Sequence, residues 1–383
     1  MKKAIVLAII GLLLSCSAPN DNIARYVLDI DKSKNFIPGN EVLDSVDFSC
    51  ICLENDKCMI SRIEDMKFCD GVIYILDENR HNLYGFNEKG KCISVLSKAG
   101  NSSKEYIEIT DFFVCEDKIY VLDNYSRKIV IYNSNGEFNT RIDISAYWAN
   151  QLIVMNDFMY LINEGSDCDE GQYHVFKIVF NGGLVERFLQ FDKAPGLVAR
   201  NLCSMNTQSF LYVDRENNTI YKFDDKGCEA IAAFDYGSYN LPEKLFGKNA
   251  MELMDEGSYK SYSLGIEEIK SNERTIWGRF SAGDNSYLFV YDYKNGKINW
   301  LCRGVLLDNL YNVGLSNYYI CGDYVYDVYY ADQLLPLIEL NEERGVVYNK
   351  QCAKDIHEIK NTVREDSNPV IFKYKLKYDK SPS

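Results

Sequence analysis

The sequence predicts an all-β chain folded as a six-bladed β-propeller, with small helical insertions and a ring closed by N- and C-terminal strands. Three observations predict it. A strand–turn–strand–turn grammar recurs at one spacing: Val72-Ile-Tyr-Ile-Leu-Asp77, Asn82-Leu-Tyr-Gly-Phe86 and Gly90 return as Lys118-Ile-Tyr-Val-Leu-Asp123, Lys128-Ile-Val-Ile-Tyr132 and Gly136, each 46 residues later. A third copy, Phe210-Leu-Tyr-Val-Asp214 with Gly227, keeps the 13-residue step from Asp to Gly. The strands at the two chain ends have no partner of their own. A period of roughly 40–50 residues built from short strands marks a propeller, in which one blade cannot bury both of its faces but a ring of blades can.

Residues 1–15 read as a signal peptide. Met1-Lys2-Lys3 is basic, and Ala4 to Leu14 is apolar but too short to span a bilayer as a helix. Leu13-Leu-Ser-Cys16 is similar to the bacterial lipobox, which makes Cys16 the expected lipidation site; an ordinary secretory signal is the alternative. Several acyl chains on one cysteine anchor stably, since each buried CH₂ adds about 0.8 kcal/mol. Residues 16–24 form a tether, and residues 25–383 the propeller. Ser17 after the cysteine points to the outer membrane of the cell envelope, on a face the sequence leaves open.

Val46, Phe48, Cys50 and Cys52 alternate onto one face of an N-terminal strand. The apolar run Val72 to Leu76 suits a strand covered on both sides by neighbouring blades. Asp77 ends it, Glu78-Asn-Arg80 turns the chain, and Asn87-Glu-Lys-Gly90 is a hairpin turn whose glycine takes positive φ at little cost. Fainter copies follow, with inner strands expected near residues 74, 120, 160, 211, 277 and 325. Two stretches do not read as blade. Residues 236–265 form a helical insertion, either a cap on the ring or a lid over the channel. Residues 332–366 form a helical segment in which Ile356, Ile359 and Val363 make one stripe. Without these the length fits six repeats better than seven. Phe372, Tyr374, Leu376 and Tyr378 share one face of a last strand, which pairs with the N-terminal one to close the ring.

The net charge of −14 argues against nucleic acid as a partner. Thirteen cysteines show no disulfide framework and no Cys-x-x-Cys, and only three histidines (His81, His174 and His357) are present. Buried free thiols are expected, with one or two disulfides open. Cys69 and Cys115 hold equivalent positions in successive blades, suggesting one shared slot. No nucleophile elbow, zinc-protease helix or phosphate loop occurs. No catalytic, cofactor-binding or metal residue is therefore assigned, and the cofactor is unknown. The recurrent residues Asp77, Asp123 and Asp214, with Gly90, Gly136 and Gly227, read as structural blade residues, the carboxylates capping turns; carboxylates ringing the channel around a metal are the alternative. Arg80 and Arg127 are expected to pair with local carboxylates or carbonyls.

These blade units resemble NHL-type repeats. With the lipobox, the strand near Phe48 to Leu53 and the ending Arg364 to Leu376, the chain resembles the six-bladed β-propeller lipoproteins of Gram-negative bacteria. The loop Lys98-Ala-Gly-Asn-Ser-Ser-Lys-Glu-Tyr106 keeps Glu105-Tyr106 of a Gly-Pro-Gly-Glu-Tyr-like family loop but lacks its proline. The resemblance implies fold and anchoring and carries no catalytic residue. The expected function is a membrane-anchored binding module for a protein, peptide or glycan on one propeller face. The alternative is a metal-dependent lactonase- or lyase-like enzyme.

Overall fold

The computed structural model describes residues 23–378 apart from 56–57, 192–202, 207, 216, 246–247, 249, 256, 258–259, 308–314, 316 and 349. Cys16 and the signal peptide lie outside the described residues. Six antiparallel sheets follow one another along the chain. Blade 1 is Ile63–Cys69, Val72–Asp77, Asn82–Asn87 and Cys92–Ser97; blade 2 is Asp111–Cys115, Lys118–Asp123, Lys128–Asn133 and Phe138–Asp143. Blade 3 is Gln151–Met155, Phe158–Ile162, Tyr173–Ile178 and Leu184–Gln190, and blade 4 is Cys203–Asn206, Ser209–Asp214, Thr219–Asp224 and Gly227–Asp235. Blade 5 is Ser263–Ser271, Thr275–Ala282, Asn285–Asp292 and Lys297–Cys302.

Blade 6 closes the ring as the chain ends require. Its order is Tyr318–Cys321, Tyr324–Tyr329, Val370–Leu376 and Leu43–Cys52. The first and last strands of the propeller pair antiparallel, with Val370 opposite Cys52, Phe372 opposite Cys50 and Tyr374 opposite Phe48. Phe372, Tyr374 and Leu376 are all buried.

One expectation is corrected. The strands near 74, 120, 160, 211, 277 and 325 are second from the axis. The innermost strand of each blade is the one before, and several of these touch the innermost strand of the next blade: 63–69 against 111–115, 111–115 against 151–155, and 263–271 against 318–321. The second strand has a neighbour on each edge and a blade on each face, so it is the most uniformly apolar. The innermost strand has one edge on the channel and carries polar residues.

The core lies in seams between blades, and six clusters fill the six seams. Tyr74, Leu76 and Leu83 meet Ile119, Val121 and Val130 between blades 1 and 2. Ile51, Tyr326 and Ile371 meet Met66, Ile75 and Phe86 between blades 6 and 1. Cys69 and Cys115 share their slot: each ends an innermost strand and packs into the seam with the next blade, and Cys321 does the same in blade 6. Every described cysteine whose side chain is placed is a free thiol.

Ahead of the closing strand, the N-terminal segment runs as a strap along the outside of the ring. Arg25–Val27 adds a parallel fifth strand to the outer edge of blade 4, and Ile37–Pro38 pairs in parallel with Val305–Leu306. Tyr26 packs on Tyr291 at 4.8 Å between ring centroids, and Lys34 lies 4.8 Å from the Trp300 ring. A short helix, α1 (Gly39–Val42), leads into the closing strand.

Among its described residues, the 236–265 stretch includes the 3-10 turns Gly237–Tyr239 and Glu243–Leu245 and the six-residue α2 (Ala250–Asp255). Its last residues already belong to the innermost strand of blade 5, which starts at Ser263. Pro242 opens only a tight turn, with Leu245 N donating to its carbonyl at 2.8 Å. Within 332–366 two full helices do form, α3 (Ala331–Glu343) and α4 (Lys350–Thr362). They are inserted between the second and third strands of blade 6. Leu334, Ile338, Ile356, Ile359 and Val363 pack them onto the seam between blades 5 and 6.

Phe372 is fully buried and meets the Tyr329 ring edge-on at 5.0 Å in the closing blade. Phe372→Ala should lower stability by about 3–5 kcal/mol in urea unfolding. A loss under about 1 kcal/mol would mean that this strand does not hold the ring shut.

Candidate functional site

The recurrent carboxylates hold loops. Asp77 Oδ1 accepts from the backbone N–H and the hydroxyl of Ser61, both at 2.9 Å. Asp123 Oδ2 accepts from Ile107 N at 2.9 Å, and its Oδ1 from Ser126 N at 3.1 Å. Each reaches back 16 residues to the loop that brings the chain into its own blade. Asn163 does related work in blade 3, accepting from Gly165 N and Ser166 N. The charge of Asp214 also acts on the buried His174, whose ring lies 4.7 Å from Phe191 and 5.6 Å from Tyr212. Burial pushes the His174 pKa down, and the charge of Asp214 opposes this. The three Asp residues thus stand in separate seams. Among the described residues no three His, Cys, Asp or Glu side chains converge as a metal ion needs.

The recurrent glycines share positive φ, +78° at Gly90, +81° at Gly136 and +119° at Gly227, but differ in surroundings. A Cβ on Gly90 would lie 2.1 Å from the carbonyl oxygen of Cys52 in the closing strand, whereas one on Gly136 would meet nothing nearer than 3.7 Å. Glu54 N donates to the Gly90 carbonyl at 2.8 Å. Gly90 therefore shapes a turn and also docks blade 1 onto blade 6. Gly136→Ala should cost only the strain of the left-handed turn, about 1 kcal/mol, and Gly90→Ala clearly more, read as a lower urea midpoint. Equal losses would remove the docking role.

The polar groups that gather at the axis come from the innermost strands. Their inner edges have no partner strand, and side chains of the preceding blade supply the missing hydrogen bonds. Lys67 Nζ (blade 1) donates to Asp111 Oδ1 at 2.6 Å and to the Phe112 carbonyl in blade 2, lies 3.5 Å from Asp65 Oδ2, and sits 4.7 Å from the Phe112 ring centroid. Asp111 Oδ2 accepts from Leu152 N in blade 3 at 2.7 Å. Three blades are thereby joined along the channel wall. Burial alone would lower the Lys67 pKa, but Asp111 and Asp65 outweigh it and hold it above the usual value. Burial raises the Asp111 pKa, and Lys67 pulls it only part of the way back.

Blade 5 repeats the acid–lysine pair and its ring contact. Lys270 Nζ lies 3.1 Å from Glu268 Oε1 and 4.5 Å from the Tyr319 ring of blade 6. From the second strand, Arg279 lies 5.2 Å from the Tyr318 ring and donates to the Leu315 carbonyl at 3.3 Å. At the mouth, Arg80 bridges Glu64 and Glu108, and Gln151 Nε2 donates to Glu164 at 2.8 Å. Burial lowers the pKa of Arg215, against the charges of Glu267, Tyr236 and Glu164. Arg127 donates to the Tyr147 carbonyl at 2.6 Å and stacks 4.3 Å over Trp148, so both repeat arginines bind the loop leading to the next blade.

The sequence reading missed this wall, although a signal was present. Asp65-x-Lys67 and Glu268-x-Lys270 each stand seven residues ahead of equivalent ring residues, Tyr74 and Trp277. The histidines do not join it: His81 and His357 are exposed on a turn and on α4, and His174 is buried in blade 3.

The fold is that of a six-bladed propeller whose innermost strands carry ionic side chains backed by rings buried in the seams. Residues 43–375 match the family described as a domain of unknown function, DUF4934, and the chain belongs to that family. No curated protein matches it. Among solved structures, a Bacteroides fragilis protein described as exported superposes with a TM-score of 0.73 at 16% identity, over 93% of this chain and 100% of that one. A member of the DUF4221 family from Bacteroides vulgatus superposes with a TM-score of 0.49 at 10% identity, over 86% of this chain and 96% of that one.

Lys67→Met would leave Asp111 buried without its cation. The side chain of Lys67 keeps 28% exposure, so the expected loss near pH 7 is about 2–3 kcal/mol, below that of a fully enclosed pair. A lysine pKa held high contributes stability below its unfolded value that disappears as pH rises through the folded value. In acid, Asp111 takes up a proton at a raised pKa and needs the cation less. The stability gap between wild type and variant should therefore be widest near neutrality and narrow at both extremes; a gap independent of pH would refute the pairing.

Proposed function

We propose that the chain is an exported, lipid-tethered binding module that takes a peptide, protein segment or glycan at the mouth of its axial channel. The observation that carries this is the pair of charged clusters on the innermost strands, Lys67 with Asp65 and Lys270 with Glu268, each cation backed by a ring buried in the next seam, Phe112 and Tyr319. The rings hold the cations in place, and fixed charges of both signs at one centre suit the polar groups of sugars and peptides. Loops from every blade reach the same centre, so recognition needs no dedicated motif.

Export is supported by the signal-like residues 1–15 and by the likeness to a protein described as exported. No helix among the described residues is long and apolar enough to cross a membrane. Attachment is assigned to a lipid on Cys16 from the lipobox-like Leu13-Leu-Ser-Cys16, in keeping with the resemblance to lipid-anchored NHL-like propellers, and the outer membrane is the proposed site.

The mature chain, probed against peptide and glycan arrays, should bind one class saturably, more weakly as salt rises. Lys270→Met should reduce that binding by about tenfold or more while leaving the fold intact. Saturable binding indifferent to Lys270→Met and to salt would place the site elsewhere, and silence on both arrays would remove the binding role. In cells, Cys16→Ser should move the protein from the membrane to the soluble fraction. A wild-type chain already soluble and unacylated would remove the tether alone.

A further inference from the structure

The outermost strand of blade 6 carries two thiols that the channel does not use. Cys50 and Cys52 alternate onto one face, both half-buried, with sulfurs 3.9 Å apart. They look toward α4, where Asp355, Glu358 and Thr362 are the polar neighbours. The strand is held in register on either side of the pair, Phe372 opposite Cys50 and Val370 opposite Cys52.

This spacing fits some chemistry and not other. Residues two apart in a strand have Cα atoms about 6.6 Å apart, twice the rise per residue. Disulfides usually have Cα separations of about 4.4–6.8 Å, most often about 5.5–6 Å, and an S–S bond of about 2.05 Å. This pair stands at the long end of that span, and a disulfide would have to draw together sulfurs that now lie 3.9 Å apart. Two metal–sulfur bonds of about 2.3 Å, by contrast, span about 3.8 Å at a tetrahedral angle and about 4.6 Å in line. A two-coordinate ion takes the in-line end of that range, which the sulfurs, now 3.9 Å apart, reach by turning the two side chains outward with the backbone unmoved.

The set of donors narrows the cation. Zinc in structural sites takes four ligands, and among the described residues no third His, Cys, Asp or Glu is placed to complete such a set. A monovalent, thiophilic d¹⁰ ion is satisfied by two thiolates, and soft sulfur ligands select it. We propose that Cys50 and Cys52 form a two-thiolate site for monovalent copper on the outer strand of the closing blade. Binding makes two copper–sulfur bonds and releases two thiol protons to solvent; copper stays monovalent and nothing is oxidised or reduced.

The test uses the full mature chain, reduced and kept anaerobic, in competition with a chromogenic chelator of monovalent copper. Wild type should withdraw one copper per chain. Cys50→Ser and Cys52→Ser should each bind at least about tenfold more weakly, while Cys69→Ser, altered in another seam, should match wild type. Copper-edge X-ray absorption on the wild-type complex should show two sulfur neighbours, a readout that survives if a variant fails to fold. Three outcomes would overturn the proposal. They are no competition with the chelator, uptake that persists in the Cys50→Ser/Cys52→Ser double variant, and a 50–52 peptide already lighter by two hydrogens with no copper captured.

Discussion

The pairing of Leu43–Cys52 with Val370–Leu376 is the contact on which the rest of the molecule depends. Each blade is a four-stranded sheet with an apolar surface on both sides, and the core is a set of seams with no common centre. An open ring would leave two such surfaces in water and would weaken every seam next to the gap. Joining the two ends of the chain inside one blade gives this pairing the longest sequence separation of any strand pair among the described residues. That non-local contact ties ring closure to folding of the whole chain. Gly90 shows the same demand locally, since blade 1 sits so close to the closing strand that even a methyl group would collide with it.

A second demand arises at the axis. Closing the ring removes the faces of the sheets from water but leaves the innermost edges with unpaired backbone groups, a liability for any β-sheet. Lys67 and Asp111 answer it by donating to and accepting from the edges of blades 2 and 3. The charges that satisfy the scaffold thereby become the lining of the channel. A propeller built this way acquires a polar axis as a by-product of its architecture, and recognition can be elaborated on it.

Much of this was legible in the sequence because the second strands are the most constrained elements in the ring. Val72–Asp77 and Lys118–Asp123 must be apolar throughout and must end in a loop-holding carboxylate, so they repeat almost unchanged. The closing strands were legible from alternation alone, as was α4 from its stripe at Ile356, Ile359 and Val363. The innermost strands were not. Cys203–Asn206 and Tyr318–Cys321 are four residues long, and their content is set by the neighbouring blade. The strap strand Arg25–Val27 is shorter still and has no period to detect. Within 236–265, apolar residues at helical spacing are held in part by α2 and in part by tight turns, as Leu245 is. At the axis, the two acid-x-Lys pairs become visible only when strands are aligned by blade, and charge pairs in isolation are too common to stand out.

The strap has a mechanical side. A pull on the N-terminus would reach the ring first through Arg25–Val27, a three-residue parallel strand on the rim of blade 4, and next through Ile37–Pro38. Both can peel away while the ten-residue closing strand stays seated. The strap is therefore a fuse in series with the wheel: a tug spends itself on a few peripheral hydrogen bonds and some slack chain before any load arrives at the joint that keeps the circle whole.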